Sequence, residues 1–550
     1  MRVALLTEGG YPYAQGESVA WCDRLLHGLT GHDFDIGALS RSRRQEHGPR
    51  RPPPPHVRRV RTAPLWGPPP AGRVPRGAGR RFAECFAELT AALCPGYQPL
   101  GEEHPGRQAD RFATGLYGLA ALAAAHGGLG AWLCSDEAVR VLEAACRAPG
   151  APRAAQAARV ADLLLVADRM ERALRPLSLD WYGDQGLGDA DLCHAVGGGP
   201  AALAGLLAHR LHGTPLLITE HGARVRDHYL RSAVSAASVA GAALGAHAVA
   251  PSAAGAPVRA LLGAFQVRLA REIYARAALI TPGDALARRW QERCGAAPER
   301  LRTVYPGMDA RPFHAVAGAP AAPAPPALVW VGRMVREKDL TGLLRAFDAV
   351  RAAEPATRLW IVDSRAHGTA DAAYPARCRA LAARLFPAGA ADAGGGAAAP
   401  VTFTEVGSAE VPGLADAYAR AAGGVAVLSS AVEGYPVPLI EAMFCGRATV
   451  STDVGAVAEV VGGTGLVVPP RDPGALADAC LALLRDPERR ARLGAAARAR
   501  ALELFTVERN VAAFGAIYRE LGAGGAASGP ARPGWAAEPI RLAAGGRERA

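Results

Sequence analysis

An apolar run, a turn and a helix start follow one another in residues 424–446, and this order constrains the fold of the whole chain. Val425–Leu428 is apolar and bounded by small residues, which is typical of a buried strand. Pro436 and Pro438 favour the first turn of a helix, where a missing N–H group costs little, and Gly446 favours its end. The unit therefore predicts an α/β fold, with free N–H groups at a helix start that attracts anions.

Two carboxylates lie on this unit, Glu433 in the loop and Glu441 in the helix. Side chains on a helix point back toward its N-terminus, so Glu441 is expected to reach the crevice that Glu433 faces. Carboxylates hold sugar hydroxyls and an electropositive helix start holds phosphate, so the pair suggests a ligand with both. The alternative is that Glu433 caps the turn and Glu441 is a solvated helix residue.

The pattern S-x-x-E-G-x-P-x-x-x-x-E-A-M in this unit resembles the signature of the retaining glycosyltransferases of family 4. That resemblance implies the GT-B architecture, an α/β fold in which two Rossmann-like, doubly wound domains face a cleft. It also implies that Glu433 contacts the donor sugar and that Glu441 holds the ribose of the nucleotide. The backbone of Gly434, Tyr435 and Pro436 is then expected to touch the sugar.

A second loop combines two cations with a strand and a helix. A buried strand is predicted at 327–334, and Arg333 and Lys338 lie between it and an amphipathic helix. Arginine binds phosphate oxygens through its fork and lysine supplies a mobile point charge. The loop is not a Walker A sequence, but it resembles the family's G-R-x-x-x-x-K-G, which implies that both residues hold the diphosphate. Asp339 stands where the family has glycine.

Lys338 is the only lysine, since the other 61 of the 62 basic side chains are arginine. This bias favours a GC-rich genome as its origin. The retained lysine then suggests a position where guanidinium does not substitute, and chance survival is the alternative.

The first residues predict a strand, a glycine-containing loop and a helix that begins near Val19. Y-P-Y-x-x-G-x-S-x-x-W in this region resembles the Pel exopolysaccharide glycosyltransferases, a branch of family 4. That resemblance implies that Gly16 lies at the nucleotide-sugar site, and Glu17 stands where the branch usually has a second glycine. The helical patterns in 81–180 resemble the helical insertion of the same branch.

Strand, helix and strand follow one another in residues 190–222, which predicts parallel pairing through a right-handed crossover. His194 and His221 fall near the strand ends and are expected to face the crevice rather than the core. T-E-H-G resembles the strand-end histidine of the family, which implies that His221 contacts the donor sugar near the reacting carbon. His194 has a packed strand-end residue as its alternative, and Arg224 and Arg226 meet either an anionic group or solvent.

Composition divides the chain into domains, with an Ala/Pro-rich stretch as the boundary. A last strand of the first domain is expected at 299–309. The predicted segments are an N-terminal Rossmann-like acceptor domain at 1–313, with a basic Pro-rich loop at 41–80 and a helical insertion at 81–180; a linker at 314–326; a nucleotide-sugar-binding domain at 327–505; a helix crossing back at 506–522; and a disordered tail at 523–550.

Charge and cysteine usage limit the partners. The net charge is +11, but much of it lies in 41–80, which is expected to be a solvated loop, so nucleic acid is not expected. Docking of this loop to an acidic partner, a membrane or a polysaccharide synthase is the alternative. The ten cysteines form no C-x-x-C pair, so no zinc or redox site is predicted.

The N-terminus begins directly with a strand pattern and lacks a signal peptide, so a cytoplasmic location is expected, including the inner face of the membrane. Two Ala/Gly-rich stretches, 112–134 and 233–256, are weakly apolar and are predicted to be packing helices.

The predicted activity is transfer of a hexose or N-acetylhexosamine from a nucleoside-diphosphate sugar, with UDP favoured, to a hydroxyl acceptor. Arg333, Lys338 and the helix start near Pro436 would stabilise charge on the leaving diphosphate. No D-x-D sequence is placed to hold a cation, so neither a metal nor a cofactor is expected. His221 and Glu433 would orient the sugar, and retention of configuration is implied by the resemblance alone.

Three alternatives remain open at this point. Glu17, Asp339 and Asp363 depart from the family and favour a catalytically silent, nucleotide-sugar-binding subunit of a polysaccharide complex. A glycoside hydrolase could use Glu433 and Glu441 as its acid and nucleophile, but it would need no phosphate site. Glucosaminyl transfer to an inositol phosphate, as in actinobacterial relatives, is the alternative to polymer synthesis.

Overall fold

The computed structural model describes residues 1–527 except 10, 14–15, 48–51, 68–76, 95–104, 184–185, 227, 229–254, 318–325, 365–372, 388–398 and 422. The chain forms two compact units. The first consists of Met1–Pro282, Ala287–Arg302 and Phe514–Ala550, and the second of Gly283–Leu286 and Thr303–Ala513.

The first unit is built on a six-stranded parallel sheet in the order β3-β2-β1-β4-β5-β6. This is the doubly wound order, in which the chain changes direction between β1 and β4. The central strands are apolar and buried because helices cover both faces. The strands are β1 Arg2–Glu8, β2 Asp33–Ser40, β3 Val57–Pro64, β4 Leu192–Val196, β5 Leu216–Glu220 and β6 Leu279–Pro282.

Helices of this unit cover the sheet and form the insertion between β3 and β4. Within the insertion, Phe82 stacks on Phe86 and on Trp132, with ring centroids 5.4 and 5.2 Å apart. The helices are Glu17–Gly28, Gly79–Ala91, Pro105–His126, Leu129–Leu133, Asp136–Arg147, Arg153–Gln156, Val160–Leu174, Pro200–His212, Ala256–Arg276 and Ala285–Arg293, the last of which begins in the second unit.

The second unit repeats the same topology, with the sheet order β12-β11-β10-β7-β8-β9. The strand order changes direction between β7 and β10, and these two strands correspond to β1 and β4 of the first sheet. The strands are β7 Ala327–Gly332, β8 Arg358–Asp363, β9 Val401–Glu405, β10 Val425–Leu428, β11 Thr449–Thr452 and β12 Leu466–Val468. Two such sheets confirm the predicted α/β class with two Rossmann-like domains.

Two hydrophobic layers enclose the second sheet, one around Phe444 and Phe505 and one around Trp330 and Phe347. The helices are His314–Ala317, Leu340–Ala353, Ala373–Leu385, Leu414–Ala419, Val437–Phe444, Val457–Val461, Pro473–Leu484, Pro487–Leu504 and Val507–Ala527. The last of these begins in the second unit and ends in the first.

The expectation of an irregular loop over 41–80 was wrong for its middle. Residues 57–64 form β3, which pairs in parallel with β2 at the edge of the first sheet. Three arginines lie among Val57, Val60 and Thr62 in this strand, and charged side chains on an edge strand prevent pairing with other chains. The arginine-rich composition concealed this β pattern.

The strand expected at 299–309 is also absent from the described residues, which show only single bridges from Leu301 and Met308. Thr303 onward belongs to the second unit, where the Met308 N–H donates to the Phe505 carbonyl over 2.9 Å. A Cβ on Gly307 would lie 2.6 Å from the Asn510 Cβ, so glycine permits this close packing.

Several expectations fall wholly or partly outside the described residues. These include most of the linker, the stretch 233–256 and the loop at 387–399. At the C-terminus the last helix runs to Ala527, past the start of the tail predicted at 523, and residues 528–550 are not described. Among the described residues, no helix combines the length and apolar character needed to cross a membrane.

Candidate functional site

The loops after β7 and β10 lie at the point where the second sheet changes direction. Open parallel sheets bind their ligands outside the carboxyl ends of the strands at this point. Lys338 follows β7 and Glu433 follows β10, so the two sequence motifs meet there.

Lys338 and Glu433 form an ion pair, in which the Lys338 Nζ donates to the Glu433 Oε2. Their side chains are only 12% and 11% exposed. The same carboxylate oxygen accepts a hydrogen bond of 2.9 Å from the Ser430 hydroxyl. The structure thus fixes an ammonium and a carboxylate side by side, within hydrogen-bonding reach of one small ligand group.

Backbone contacts join the two loops. The Glu337 carbonyl accepts hydrogen bonds from the N–H groups of Ala431 and Val432, at 2.8 and 3.2 Å. The Ser429 hydroxyl donates to the Lys338 carbonyl at 2.8 Å. Because both loops are held to each other, the Lys338–Glu433 pair does not depend on its own attraction for its position.

Gly455, in the loop after β11, packs closely against the backbone of the Glu433 loop. Its φ is +62°, and a Cβ there would lie 2.5 Å from the carbonyl oxygens of both Glu433 and Gly434. Only glycine allows the two loops to approach so closely. A hydrogen bond of 3.0 Å from the Ala456 N–H to the Gly434 carbonyl also joins them. Sequence patterns gave no sign of this residue, since the contact joins separate loops.

The backbone conformation of Asp339 explains why the family has glycine at this position. Its φ is +43°, in the left-handed region that aspartate tolerates better than most residues. Its carboxylate also caps the helix Leu340–Ala353 by accepting from the Gly342 N–H at 3.1 Å. The fold therefore accommodates the substitution.

The free N–H groups expected at the start of the helix Val437–Phe444 are not found. The Val437 N–H donates to the Tyr435 carbonyl at 3.0 Å, and the N–H groups of Leu439 and Ile440 donate to the Pro436 carbonyl at 3.1 and 3.3 Å. Pro436 and Pro438 have no N–H to offer. The expectation was wrong because the prolines remove donors and the turn consumes the rest, which leaves only the helix dipole.

Glu441 is buried, so the alternative of a solvated helix residue is wrong. The Tyr418 hydroxyl donates to its Oε2 at 2.8 Å and also lies 2.8 Å from the Pro438 carbonyl. Burial, with the Glu441 charge nearby, raises the pKa of Tyr418 well above its usual value, which keeps the hydroxyl a donor. Tyr435 packs its ring edge-on against Phe505.

Arg333 lies on the same connection as Lys338 but differs from it in environment. The Arg333 side chain is exposed and has no ion-pair or hydrogen-bond partner among the described residues, in contrast to Lys338. An exposed arginine at the carboxyl end of β7 can turn toward an anionic ligand without breaking an existing contact.

His221 directly follows β5 in the first unit and contacts Trp21. The two rings meet edge to face with centroids 5.1 Å apart. The His221 Nε2 and the Trp21 Nε1 are both buried, and neither has a hydrogen-bond partner among the described residues. Buried polar atoms are normally satisfied, so this pair is an incomplete polar site.

Burial lowers the pKa of His221 to about 4, and the nearby Arg24 lowers it further in the same direction. The imidazole is therefore neutral at pH 7 and can either donate or accept a hydrogen bond. Sequence reasoning did not assign Trp21 or Arg24 to the site, although Trp21 lay within the quoted N-terminal pattern.

Gly16 begins the helix that carries Trp21 and Arg24. Its φ is +134°, and a Cβ would meet no atom within 4 Å. The neighbouring Glu17 carboxylate pairs with Arg24 at 2.5 Å, so its negative charge is engaged by a cation of the same helix. Gly16 therefore lies immediately before the helix that contacts His221.

His194 was expected to face a crevice, but it lies within the core. It is fully buried in the middle of β4, and its Nδ1 and Nε2 lie 2.7 Å from the hydroxyls of Tyr518 and Thr219 respectively. Burial lowers its pKa to about 3, with His221 as a second cause. His194 therefore anchors the last helix to the first sheet, which matches its alternative as a packed residue.

Arg224, which sequence analysis left open, pairs with Glu8 at the end of β1 over 2.6 Å. The Arg224 N–H also donates to Glu220 at 2.9 Å, and Tyr274 donates to the same carboxylate. Burial raises the pKa of Glu220, an effect opposed by the hydrogen bond from Tyr274. No group of three or more His, Cys, Asp or Glu side chains with metal-binding geometry occurs within the described parts of the chain.

Two family models match the sequence. The first, described as "Domain of unknown function (DUF3492)", matches residues 1–299, and the second, described as "Glycosyl transferases group 1", matches residues 325–486. The second match contains the loops after β7 and β10 and all of β7–β12.

Characterised relatives match smaller parts of the chain. D-inositol 3-phosphate glycosyltransferase 2 from Catenulispora acidiphila is 34% identical over 248 residues, 43% of this chain and 54% of that protein. Lipopolysaccharide core biosynthesis mannosyltransferase LpsB from Rhizobium meliloti is 38% identical over 93 residues, 16% of this chain and 26% of that protein. The chain thus spans about half the length of the first relative and a quarter of the second.

Solved structures share the fold across nearly the whole chain. Sucrose-phosphate synthase from Thermosynechococcus elongatus superposes with a TM-score of 0.52 at 19% identity, covering 95% of this chain and 99% of that one. Anabaena HepE, solved in complex with UDP, gives 0.53 at 14% identity, covering 94% of this chain and 100% of that one. At these identities the likeness concerns the fold, which is the GT-B arrangement of two Rossmann-like domains.

The match over residues 1–299 takes in more than half of the sequence. The chain therefore belongs to the family described as Domain of unknown function (DUF3492), and its second unit is a glycosyl transferases group 1 domain.

Proposed function

We propose that the protein is a glycosyltransferase that moves a hexose or N-acetylhexosamine from a nucleoside-diphosphate sugar to a hydroxyl acceptor. The observation that carries the proposal is the fixed Lys338–Glu433 pair at the switch point of a group 1 glycosyltransferase domain. An ammonium suits the diphosphate of such a donor, and a carboxylate suits its sugar hydroxyls.

The chemical difficulty of the reaction is the negative charge that builds on the leaving diphosphate. We assign its stabilisation to Lys338 and Arg333, helped by the dipole of the helix that starts after Pro436. Bound diphosphate would draw the Lys338 ammonium from its pairing with Glu433, which frees that carboxylate to accept from a sugar hydroxyl. Since fixed side chains supply the positive charge, we propose that transfer needs neither a metal nor a cofactor.

On the sugar side, we assign His221 as a contact near the reacting carbon and the backbone of Gly434, Tyr435 and Pro436 as a support. A neutral imidazole with an unsatisfied Nε2 can hydrogen-bond a sugar hydroxyl without adding positive charge beside an electron-poor carbon. Glu441 is assigned to the ribose and Gly16 to the donor phosphate region. Retention of configuration belongs to the same proposal.

UDP is the favoured nucleotide, and HepE, which shares the fold, was solved with UDP. The Y-P-Y loop before Gly16 and the helical insertion support a place near the Pel exopolysaccharide branch, and thus polymer synthesis. Transfer to an inositol phosphate is a second candidate, favoured by two relatives named D-inositol 3-phosphate glycosyltransferases, each of which matches 43% of this chain.

The test is release of nucleoside diphosphate by the full chain from a panel of UDP- and GDP-sugars in EDTA. We expect one UDP-sugar to be turned over and Lys338→Ala to lower the rate by about 10²–10³. Glu433→Gln should slow turnover while leaving binding of UDP itself intact. Release of free sugar without nucleoside diphosphate, or near wild-type rates in both variants, would contradict the proposal.

The two candidate acceptors are distinguished by adding D-inositol 3-phosphate or an oligosaccharide to the same assay, with the donor that turns over. Faster release with the inositol phosphate would select the second candidate. Faster release with the oligosaccharide would select polymer synthesis.

A further inference from the structure

A cavity lined by three arginines lies in the second unit, beside the loops described above. Its volume is about 310 Å³, and it is lined by Arg336, Arg345 and Arg471 together with Asp339, Gly342, Ala431 and Pro473. Small-molecule sites in proteins span about 300–1,000 Å³, so this cavity is at the lower end of that range.

The three arginines come from three different connections. Arg336 lies on the turn after β7, Arg345 on the helix Leu340–Ala353, and Arg471 in the loop after β12. All three are exposed, and the Arg336 guanidinium lies 6.0 Å from the centre of the Tyr374 ring. Arg345 and Arg471 have no hydrogen-bond or ion-pair partner among the described residues. Like charges brought together on one cavity wall repel each other unless an anion is bound between them.

The remaining charges on the cavity wall leave Arg345 and Arg471 without a counter-charge. Asp339 is the single acidic residue in the lining, and its carboxylate already accepts from the Thr341 hydroxyl and the Gly342 N–H, both at 3.1 Å. Two helices, Leu340–Ala353 and Pro473–Leu484, also start at this cavity, and each adds partial positive charge. The Asp472 carboxylate, next to Arg471, is occupied as the cap of the second helix at 2.9 Å from the Ala475 N–H.

The backbone of Arg471 has a φ of +60°, a conformation that arginine rarely adopts. It follows Pro470 and precedes Asp472 in the connection from β12 to the next helix, so the chain turns sharply where the guanidinium joins the other two. The residues assigned to the donor do not line this cavity; they are Lys338, Glu433, Arg333 and Glu441.

We propose that this cavity binds a small phosphorylated metabolite at a second site, separate from the donor diphosphate. Guanidinium groups bind phosphate oxygens in pairs, and three of them match a ligand with two phosphates or one phosphate and a carboxylate. Such a ligand would affect the Lys338–Glu433 pair indirectly. Arg336 of the cavity lies on the same turn as Lys338, and Ala431 of the cavity lies in the Glu433 loop.

Titration of the full chain with inorganic pyrophosphate, followed calorimetrically at low salt, tests the proposal. We expect Arg345→Ala to weaken binding about tenfold or more, as for loss of one hydrogen bond to a charged group. The double variant Arg345→Ala/Arg471→Gly should abolish it, with glycine chosen to suit the positive φ. Arg492→Ala removes an equally exposed arginine of the same unit and should leave binding unchanged.

Pyrophosphate also resembles the donor diphosphate, so Lys338→Ala separates the two sites. Binding that survives Lys338→Ala and is lost in the double variant supports the proposal, and the double variant should still release nucleoside diphosphate if the proposed function is right. Binding that is lost in Lys338→Ala and survives in the double variant would overturn it. Absence of any binding at millimolar pyrophosphate by a thermally stable wild-type chain would do the same.

Discussion

At the scale of single residues, Lys338 combines a charge with a defined position. Its side chain is 12% exposed, and its ammonium is held against Glu433 between two joined loops. An ammonium is compact and donates in three directions, whereas a guanidinium is planar and longer. The side chain at this position is therefore expected to matter for shape as well as for charge.

Replacing Lys338 by arginine keeps the charge but changes the shape of the group that carries it. We expect Lys338→Arg to lower the rate of nucleoside-diphosphate release about tenfold, less than the loss in Lys338→Ala. The measurement is kcat with the donor that the panel identifies. A rate equal to wild type in Lys338→Arg would show that charge alone suffices, and Arg492→Lys serves as the control for an arginine–lysine exchange elsewhere.

Asp339 supports the same turn through its backbone and its cap. Asp339→Gly should change the free energy of unfolding by less than about 0.5 kcal/mol, because the ease with which glycine adopts the positive φ offsets the loss of the carboxylate cap. Asp339→Ala loses the cap and keeps the unfavourable φ, so a destabilisation of about 1–2 kcal/mol is expected. Urea denaturation of both variants measures the difference, and equal stability of the two would contradict this account.

At the scale of elements, the site depends on how neighbouring loops support one another. The Glu433 loop is bonded to the Glu337 carbonyl on one side and rests on Gly455 on the other. These contacts position the carboxylate without any direct chemical role. A small displacement of this loop should therefore move the Glu433 carboxylate away from its position for reaction.

Gly455→Ala tests this support. The added methyl would meet two carbonyl oxygens at 2.5 Å, so the Glu433 loop must shift, and we expect kcat/KM to fall by about 10–100-fold. Gly463→Ala is a matched control, because Gly463 has φ +83° but open space around its Cβ position. Equal losses of activity in the two variants would attribute the effect to backbone strain rather than to loop displacement.

Sequence reasoning predicted those elements whose pattern is local. The strand Val425–Leu428 and the helix after Pro436 were expected at nearly their observed bounds, because apolar runs and proline positions act within a few residues. β3 was missed because three arginines interrupt its apolar residues, and Gly455 was missed because its contact is long-range. The occupied N–H groups at the helix start were missed because the carbonyls of Tyr435 and Pro436 satisfy them.

At the scale of the whole molecule, the same doubly wound order occurs twice in one chain. The alternation of strands and helices made this architecture predictable, since parallel strands need crossovers of fixed hand. The environment of His194 was not predictable in this way. It depends on Tyr518, which lies 324 residues away in the sequence.

The buried histidines predict how the stability of the chain depends on pH. In the folded chain, burial holds the pKa of His194 at about 3 and that of His221 at about 4, against 6.5 as the ordinary value. The unfolded chain therefore binds more protons below pH 6.5, so the stabilisation present above that pH is lost progressively as the pH falls toward 4. Denaturant midpoints measured from pH 7.5 to 4 should decrease by an amount that corresponds to several kcal/mol.

His194→Gln should flatten this decrease, because glutamine does not titrate, even if the variant is less stable at pH 7.5. The matched control is His27→Gln, since the His27 side chain is 60% exposed. If the slope of stability against pH were the same in wild type and His194→Gln, the buried network around His194 would not be its source.

The solitary lysine beside Glu433 gives the chain a property that its arginine-rich composition would not suggest. Among the side chains of this sequence, reagents that acylate or reductively alkylate primary amines find one such group, the Lys338 Nζ. A fluorophore or a mass tag can therefore be directed to a single side-chain atom without engineering. The rate at which that atom is labelled would report whether the space around it is open or filled.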